Sequence, residues 1–438
     1  MLLLWIIFLN FYLSIHSEEY IENYLGTKSA YRYVANLNNF ENHDQEGCAT
    51  KIWMFVRHGT RYPGISDIKV MREHLPKLQD EIIRVNEDES LKIDHRLSKS
   101  DLLLFKKWYP RVEEYEAKML TVEGEKEMVE LAERMQWRFP NLLKPFYSNT
   151  SYVFKHTKTQ RTKESGKYFA TGLFGKSVHG GGYYPIAVKR NSILRFYKLC
   201  KKWIISVKKN AQTYSERNNF YDTEIMREAL DKVSSKLGLD KLTVSDLHSM
   251  YVTCAFESSW SNRRRSPWCI PFDIETIKVL EYAEDLKYYW VDGYGYDLTC
   301  NQACPAFNDM FNFINSEEKY PNALFYFTHS GSLLKMLCHL GIYRDHNQLL
   351  ANNFEENKNR QWKVSKIDPF GNNLAFILYT CNGTKKVLTM HNENIIRLPA
   401  CPKSDFCDVK TIEDYYKNSL TCGFDEMCEN NLINITSS

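Results

Sequence analysis

The residues most able to do chemistry in this chain are Arg57-His58-Gly59-Thr60-Arg61-Tyr62-Pro63. Two guanidinium groups flank an imidazole. Arginine stays charged and offers forked N–H donors that match phosphate oxygens, so the pair reads as a grip for a phosphoryl group. A histidine held between them can act as a covalent nucleophile, splitting phosphate transfer into two easier steps. The alternative is a solvated basic loop. Position argues against it, because Lys51 to Val56 (KIWMFV) is a short apolar run that reads as a buried strand, and the seven residues start where it stops. Gly59 permits close approach of the backbone there.

The elements that must position these residues follow the same logic. Ala323 to Thr328 (ALFYFT) is a second strand-like run, followed by His329-Ser330-Gly331 and a helical stretch from Leu333 to Leu340. Residues 372–381 and 386–391 read as a further strand pair. A helix is predicted after Thr121, a candidate N-cap, with Met128, Leu131, Ala132 and Met135 on one face. Residues 161–173, 191–209, 221–257 and 274–290 also read as mostly helical. Strands at both ends and helices between them predict an α/β core with an α-helical insertion. Ligands bind beyond the carboxyl ends of strands in such cores, which brings the two strand-to-histidine junctions together.

RHGTRYP resembles the RHGxRxP signature of the histidine acid phosphatases, the clade-2 branch of the histidine phosphatase superfamily. Leu120-Thr-Val-Glu-Gly124 is similar to the family's LTxxG turn. Thr159-Gln-Arg-Thr162, followed by Ser165 and Phe169, is similar to the segment that carries a third phosphate-binding arginine. Ser266 to Asp273 (SPWCIPFD), Leu280 to Trp290 (LEYAEDLKYYW) and Gly293-Tyr-Gly-Tyr296 resemble the phytase-like subgroup, the multiple inositol polyphosphate phosphatases. The likeness runs from roughly residue 45 to 430.

The resemblance implies a central mixed sheet flanked by helices, of the phosphoglycerate-mutase-like type. The core would come from about 45–180 and 300–400, with a helical insertion at about 190–295 and a disulfide-rich segment at 401–438. It implies that His58 is the nucleophile, that Arg57, Arg61 and Arg161 grip the transferred phosphate, and that His329 contacts it from the second strand end, aided by the N-terminus of the following helix. The substrates implied are inositol polyphosphates, with 2,3-bisphosphoglycerate as a further candidate, and no metal and no cofactor. Lys155, Lys158 and Lys163 lie near Arg161 in the chain and are candidates for additional phosphate contacts.

One position departs from the pattern. The inositol polyphosphate phosphatases carry His-Ala-Glu at the second site and other histidine acid phosphatases His-Asp, the carboxylic acid protonating the leaving oxygen. This chain has Gly331 where the glutamate would stand. Loss of a general acid costs about 10²–10⁴-fold, and Ser330 and Ser332 are too weakly acidic to replace it well. Two sources stay open: a neighbouring carboxyl, or a proton lent by a substrate phosphate. A catalytically impaired inositol-polyphosphate-binding protein is therefore the alternative to an enzyme.

The 438 residues are 43% apolar and 25% charged, the composition of an ordinary folded chain, which excludes disorder and collagen-like repeats. Net charge is only +3, so Arg263-Arg-Arg265, Lys201-Lys202 and Lys208-Lys209 read as solvated surface and nucleic acid is not an expected partner. The apolar run from Leu2 to about Leu13 is shorter than the roughly 20 residues a bilayer span needs and suits a signal peptide over residues 1–17. No stable membrane insertion is expected. Twelve cysteines agree with an oxidising compartment, with short local loops expected at Cys401/Cys407 and Cys422/Cys428 and a long bridge between Cys48 and Cys381. Asn149, Asn382 and Asn434 open glycosylation sequons, and the chain closes without a KDEL-type signal, so secretion is the expectation.

Overall fold

A computed structural model describes residues 20–430 except 38–40, 45, 94, 177–186, 188–190 and 262–264. The signal-peptide segment 1–17, Asn434 and two arginines of the Arg263–Arg265 run lie outside the described residues. One sheet organises the molecule. Its strands are β1 (Ala49–Arg57), β2 (Tyr152–His156), β3 (Ala323–Thr328), β4 (Asn373–Cys381), β5 (Thr384–His391), β6 (Asn394–Ile396) and β7 (Phe406–Asp408). The order is β2-β3-β1-β4-β5-β6, with β7 also paired to β5. β1, β2 and β3 are parallel, and β4, β5 and β6 continue antiparallel. The sheet is mixed, as expected.

Alternation along β1 explains why helices cover both faces. Ile52, Met54 and Val56 join Phe154, Phe325, Phe327 and Ile377 in one core, while Trp53 and Phe55 join Tyr326, Leu374 and Phe376 in the other. The principal helices of this account are α1 (Val122–Arg138), α2 (Gln160–Phe174), α3 (Glu224–Leu237), α4 (Val244–Trp260), α5 (Ile274–Asp292) and α6 (Ser330–His339). α1 and α2 cover the first face through Met128, Leu131, Ala132, Met135, Phe169 and Leu173. α6 packs Leu333, Leu334 and Leu337 into the second core. Thr121 caps α1 as its sequence predicts, Oγ1 accepting from the Gly124 amide at 3.2 Å.

Three sequence expectations need correction. The helical reading of 221–257 is two helices, because Gly238 takes a left-handed conformation (φ 75°) that ends α3, and Thr243 with Asp246 forms a capping box that starts α4. In 191–209, helical turns begin only near Phe196. The Asn191 carboxamide oxygen accepts from the amides of Ile193 and Leu194, a local turn that competes with helix. The Leu194 carbonyl then accepts from Thr328 Oγ1 and Ser332 Oγ, which docks this loop on the end of β3. Cys422 and Cys428 do not pair with each other. They reach back to Cys304 and Cys200 and staple the C-terminal segment to the helical part, while Cys401–Cys407 and Cys48–Cys381 form as expected. Spacing could not separate these pairings, because partners 228 and 118 residues apart are set by the fold. β2 was not anticipated in the sequence, its five residues carrying only a Tyr152/Phe154 alternation.

The strand register sets the height of the site. Arg57 pairs with Thr328, and His156 with Phe327, so the three parallel strands run out together. Just beyond, the loop after β1 is pressed onto the start of α1. A Cβ on Gly59 would fall 2.4 Å from the Gly124 carbonyl oxygen, and one on Gly124 only 2.2 Å from the Thr60 carbonyl oxygen. Gly59 and Gly124 are thus required by the same backbone crossing. Gly124→Ala is expected to destabilise the protein by about 1–3 kcal/mol through overpacking, read as a lowered urea midpoint at unchanged slope. An unchanged midpoint would contradict the contact.

Candidate active site

The end of β1 delivers His58, the end of β3 delivers His329, and the two rings stand 5.6 Å apart, nearly edge to face. Both are buried. His58 Nδ1 lies 2.9 Å from the Gly59 carbonyl oxygen, which can only accept. The hydrogen therefore sits on Nδ1 and Nε2 keeps its lone pair, an assignment from the hydrogen-bond network. His329 has the opposite arrangement. Arg161 Nη2 donates to its Nδ1 at 3.3 Å, so Nε2 carries the hydrogen toward Thr157 Oγ1 at 2.9 Å. Thr157, Thr159 and Thr162 bond to one another and hold that acceptor in place.

Three arginines converge on the pair. Arg57 comes from the last residue of β1, its Nη1 donating to the Asp368 carbonyl at 2.6 Å and its guanidinium lying over Phe370. Arg61 donates to the Tyr62 carbonyl and lies near the rings of Phe256 and Phe370. Arg161 rises from the first turn of α2. Burial, then Arg161 and Arg57, pulls Arg61 down to about 9. Burial, with Arg195 and Arg57 nearby, pulls Arg161 to about 10 against the opposing effect of Tyr197. These are the signs of cations crowded in a poorly solvated place, which an oxyanion relieves. Burial, then Arg161, Arg57, His329 and Arg61, holds His58 well below the ordinary imidazole range. A neutral His58 whose Nε2 lone pair is not taken up by a hydrogen bond, ringed by guanidinium groups, can attack a phosphorus whose oxygens those groups hold.

Among the lysines singled out in the sequence, Lys155 is turned away. It projects from β2 and donates to Tyr326 Oη at 2.9 Å, lying over that ring. Strand alternation aims it at the sheet face rather than past the strand end. Lys158 and Lys163 are exposed near the start of α2. Gly331 stands at the first turn of α6, and a Cβ there would lie 3.2 Å from Asp292 Oδ1 and 3.7 Å from Lys335 Nζ. Those two groups form an ion pair.

Several supporting residues were not found by sequence reasoning. Glu127 is buried on α1 and accepts from the Thr60 amide (2.7 Å), Thr60 Oγ1 (2.8 Å) and the Tyr31 amide (3.2 Å). Burial raises it to about 7 despite those bonds. Ser165 Oγ accepts from the Gly59 amide at 3.1 Å. Asp368 lies 3.5 Å from Arg57 Nη1 and accepts from Ser330. The only sequence cue to Glu127 was its helical spacing from Thr121, and Asp368 had none beyond the following proline.

The family model of the histidine phosphatase superfamily (branch 2) matches residues 50–398. The chain belongs to that family. Within branch 2 it is 33% identical to the multiple inositol polyphosphate phosphatase 1 of Drosophila melanogaster over 408 residues, 90% of this chain and 84% of the relative. It is 29% identical to the Homo sapiens protein of the same name, again over 90% of this chain and 84% of the relative. The phytase from D. castellii shares the fold, with a TM-score of 0.75 at 18% identity, covering 94% of this chain and 88% of that one. The Bifidobacterium longum multiple inositol polyphosphate phosphatase, solved with inositol hexasulfate, gives 0.67 at 15% identity, covering 92% and 98%.

Glu127→Ala would leave three buried donors of the site loop and its neighbour unpaired. Each such loss costs about 1–3 kcal/mol, so the expected result is a drop of several kcal/mol in chemical unfolding. A variant as stable as the parent would show that Glu127 does not hold the loop.

Proposed function

We propose that the protein is an exported phosphomonoesterase that removes phosphates from inositol polyphosphates through a phosphohistidine at His58. The observation that carries this reading is the free Nε2 of His58 inside a ring formed by Arg57, Arg61 and Arg161. The similarity to relatives named for inositol polyphosphates supports the substrate class. 2,3-Bisphosphoglycerate, a compact molecule of high charge, is a second candidate substrate for the same site.

In this mechanism Arg57, Arg61 and Arg161 hold the oxygens of one phosphate, His329 joins them through Nδ1 once the entering dianion draws a proton onto it and Arg161 turns to the phosphate, and the N-terminus of α6 adds its amide dipoles. His58 Nε2 attacks phosphorus, the P–O bond to the inositol carbon breaks, and the inositol oxygen leaves with a proton. Water then attacks the phosphohistidine, the P–N bond breaks and phosphate is released. The guanidinium groups stabilise charge that spreads over the transferred oxygens in both steps. Lys158 and Lys163, exposed near the start of α2, would meet other phosphates of the ring.

Export is supported by six disulfides among the described residues, a bonding pattern of oxidising compartments. Asn149 and Asn382 are exposed, as glycan acceptors must be. Among the described residues, no helix is long and apolar enough to cross a membrane.

A second reading has its own observation: Gly331 brings no side chain to the second strand end, which favours a binding protein with little turnover. Phosphate release from inositol hexakisphosphate across pH 3–8, beside His58→Ala, separates the two. The enzyme reading expects turnover that the variant abolishes. Because His58 is held below the ordinary imidazole range, it stays neutral as pH falls through 6.5, and the acid limb is expected well below that pH. Tight binding of inositol hexakisphosphate without release of phosphate would favour the second reading.

A further inference from the structure

The phosphatase reading leaves the leaving oxygen without a proton, and the fold contains a carboxyl that can supply one. We propose that Asp368 is the proton reserve of the reaction, and that Ser330 passes its proton to the leaving oxygen. The inference rests on the phosphatase reading and adds the acid that Gly331 lacks.

Ser330 is the residue after His329 and opens α6, and its hydroxyl bonds the same Asp368 oxygen that lies 3.5 Å from Arg57 Nη1, which ties it to the phosphate grip. With Asp368 ionised, Ser330 Oγ donates to its Oδ2; with Asp368 protonated, the hydrogen lies on Oδ2, Ser330 accepts it, and the Ser330 hydroxyl hydrogen is free for the leaving oxygen. The Asp368 side chain is fully enclosed, so the carboxyl cannot touch a substrate itself. Ser330, only partly buried, is its outlet.

The other side of the carboxyl is built with consistent direction. Asn372 Nδ2 donates to Asp368 Oδ1 at 2.9 Å, and the Asn372 oxygen takes up His391 Nε2 at 2.8 Å. Tyr343 Oη then meets His391 Nδ1 at 2.8 Å. This buried chain fixes Asp368 and offers it no cation. The charged groups facing it are Arg57 from β1, at 3.5 Å from Oδ2, and the Asp292 carboxylate from α5. Burial outweighs Arg57 and the two hydrogen bonds and raises Asp368 to about 6, where a carboxyl still carries its proton in mildly acidic water. Asp292, the other carboxyl near Gly331, is committed to the ion pair with Lys335.

The balance closes over one turnover. As His58 Nε2 bonds to phosphorus and the P–O bond breaks, the leaving oxygen takes the Ser330 hydroxyl proton, and Ser330 takes the proton of Asp368. Asp368 is left as a carboxylate. When water attacks the phosphohistidine, its proton returns through Ser330 to Asp368, and the P–N bond breaks to free His58.

The test compares Asp368→Asn and Ser330→Ala with the parent on inositol hexakisphosphate, whose alkoxide needs a proton, and p-nitrophenyl phosphate, whose leaving group barely does. Both variants are expected to lose at least about 30-fold more kcat on the inositol ester than on the activated one, within the range of a missing general acid. The parent's kcat on the inositol ester should also fall as pH rises through about 6, a limb absent from Asp368→Asn. Equal losses on both esters would make Asp368 a mere support for Arg57 and overturn the proposal. So would a selective loss seen in Asp292→Asn instead. Failure of the parent on both esters would remove the phosphatase reading along with it.

Discussion

The site depends on holding like charges together at the end of a buried strand. Arg57, Arg61 and Arg161 would separate in a flexible chain, because each guanidinium raises the energy of the others where water is scarce. The fold keeps them close by tying down the backbone that carries them. Glu127 takes three hydrogen bonds around Thr60 and Tyr31, and Ser165 takes the Gly59 amide. The crossing of Gly59 over Gly124 leaves no room for the loop to relax. The repulsion is stored in the folded protein, and on the proposed reading a phosphate dianion would release it. Burial and the same charges hold His58 below the ordinary imidazole range, so on the proposed reading one arrangement would both bind the oxyanion and free the nucleophile.

Much of this was legible in the residues, for physical reasons. The apolar runs before His58 and His329 had to be buried strands, and parallel pairing of β1 with β3 places both histidines at one height. The polar supports were not legible. Glu127 reads as a surface residue of an amphipathic helix until Thr60 is seen to fold onto it. Asp368 belongs to a turn before β4, 310 residues after His58, and only the sheet order brings it behind Ser330. Lys155 misled for the opposite reason. It is near Arg161 in the chain, but the strand's two-residue period sends it to Tyr326.

Gly331 shows how a local departure from a pattern can be absorbed elsewhere. The volume that a side chain there would enter is bordered by Asp292, which is paired with Lys335, and by Tyr197. The loop carrying Tyr197 and Arg195 is anchored through the Leu194 carbonyl to Thr328 and Ser332, on either side of His329. The second strand end is therefore packed, and the Lys335 charge beside it is balanced, without an acid at position 331. The carboxyl that Ser330 reaches is Asp368, which precedes β4 and is bonded to Asn372 at the antiparallel half of the sheet.

The central claim is that the arginine cluster leaves His58 Nε2 as the atom that takes the phosphoryl group. The most direct test is to mix the protein with ³²P-labelled inositol hexakisphosphate for a fraction of a turnover, quench in alkali, where phosphohistidine survives, and map the labelled peptide. The account predicts label on the peptide containing His58 and none in His58→Ala. Phosphate release at the parent rate with no labelled peptide at any quench time would contradict it, since water would then be attacking phosphorus directly.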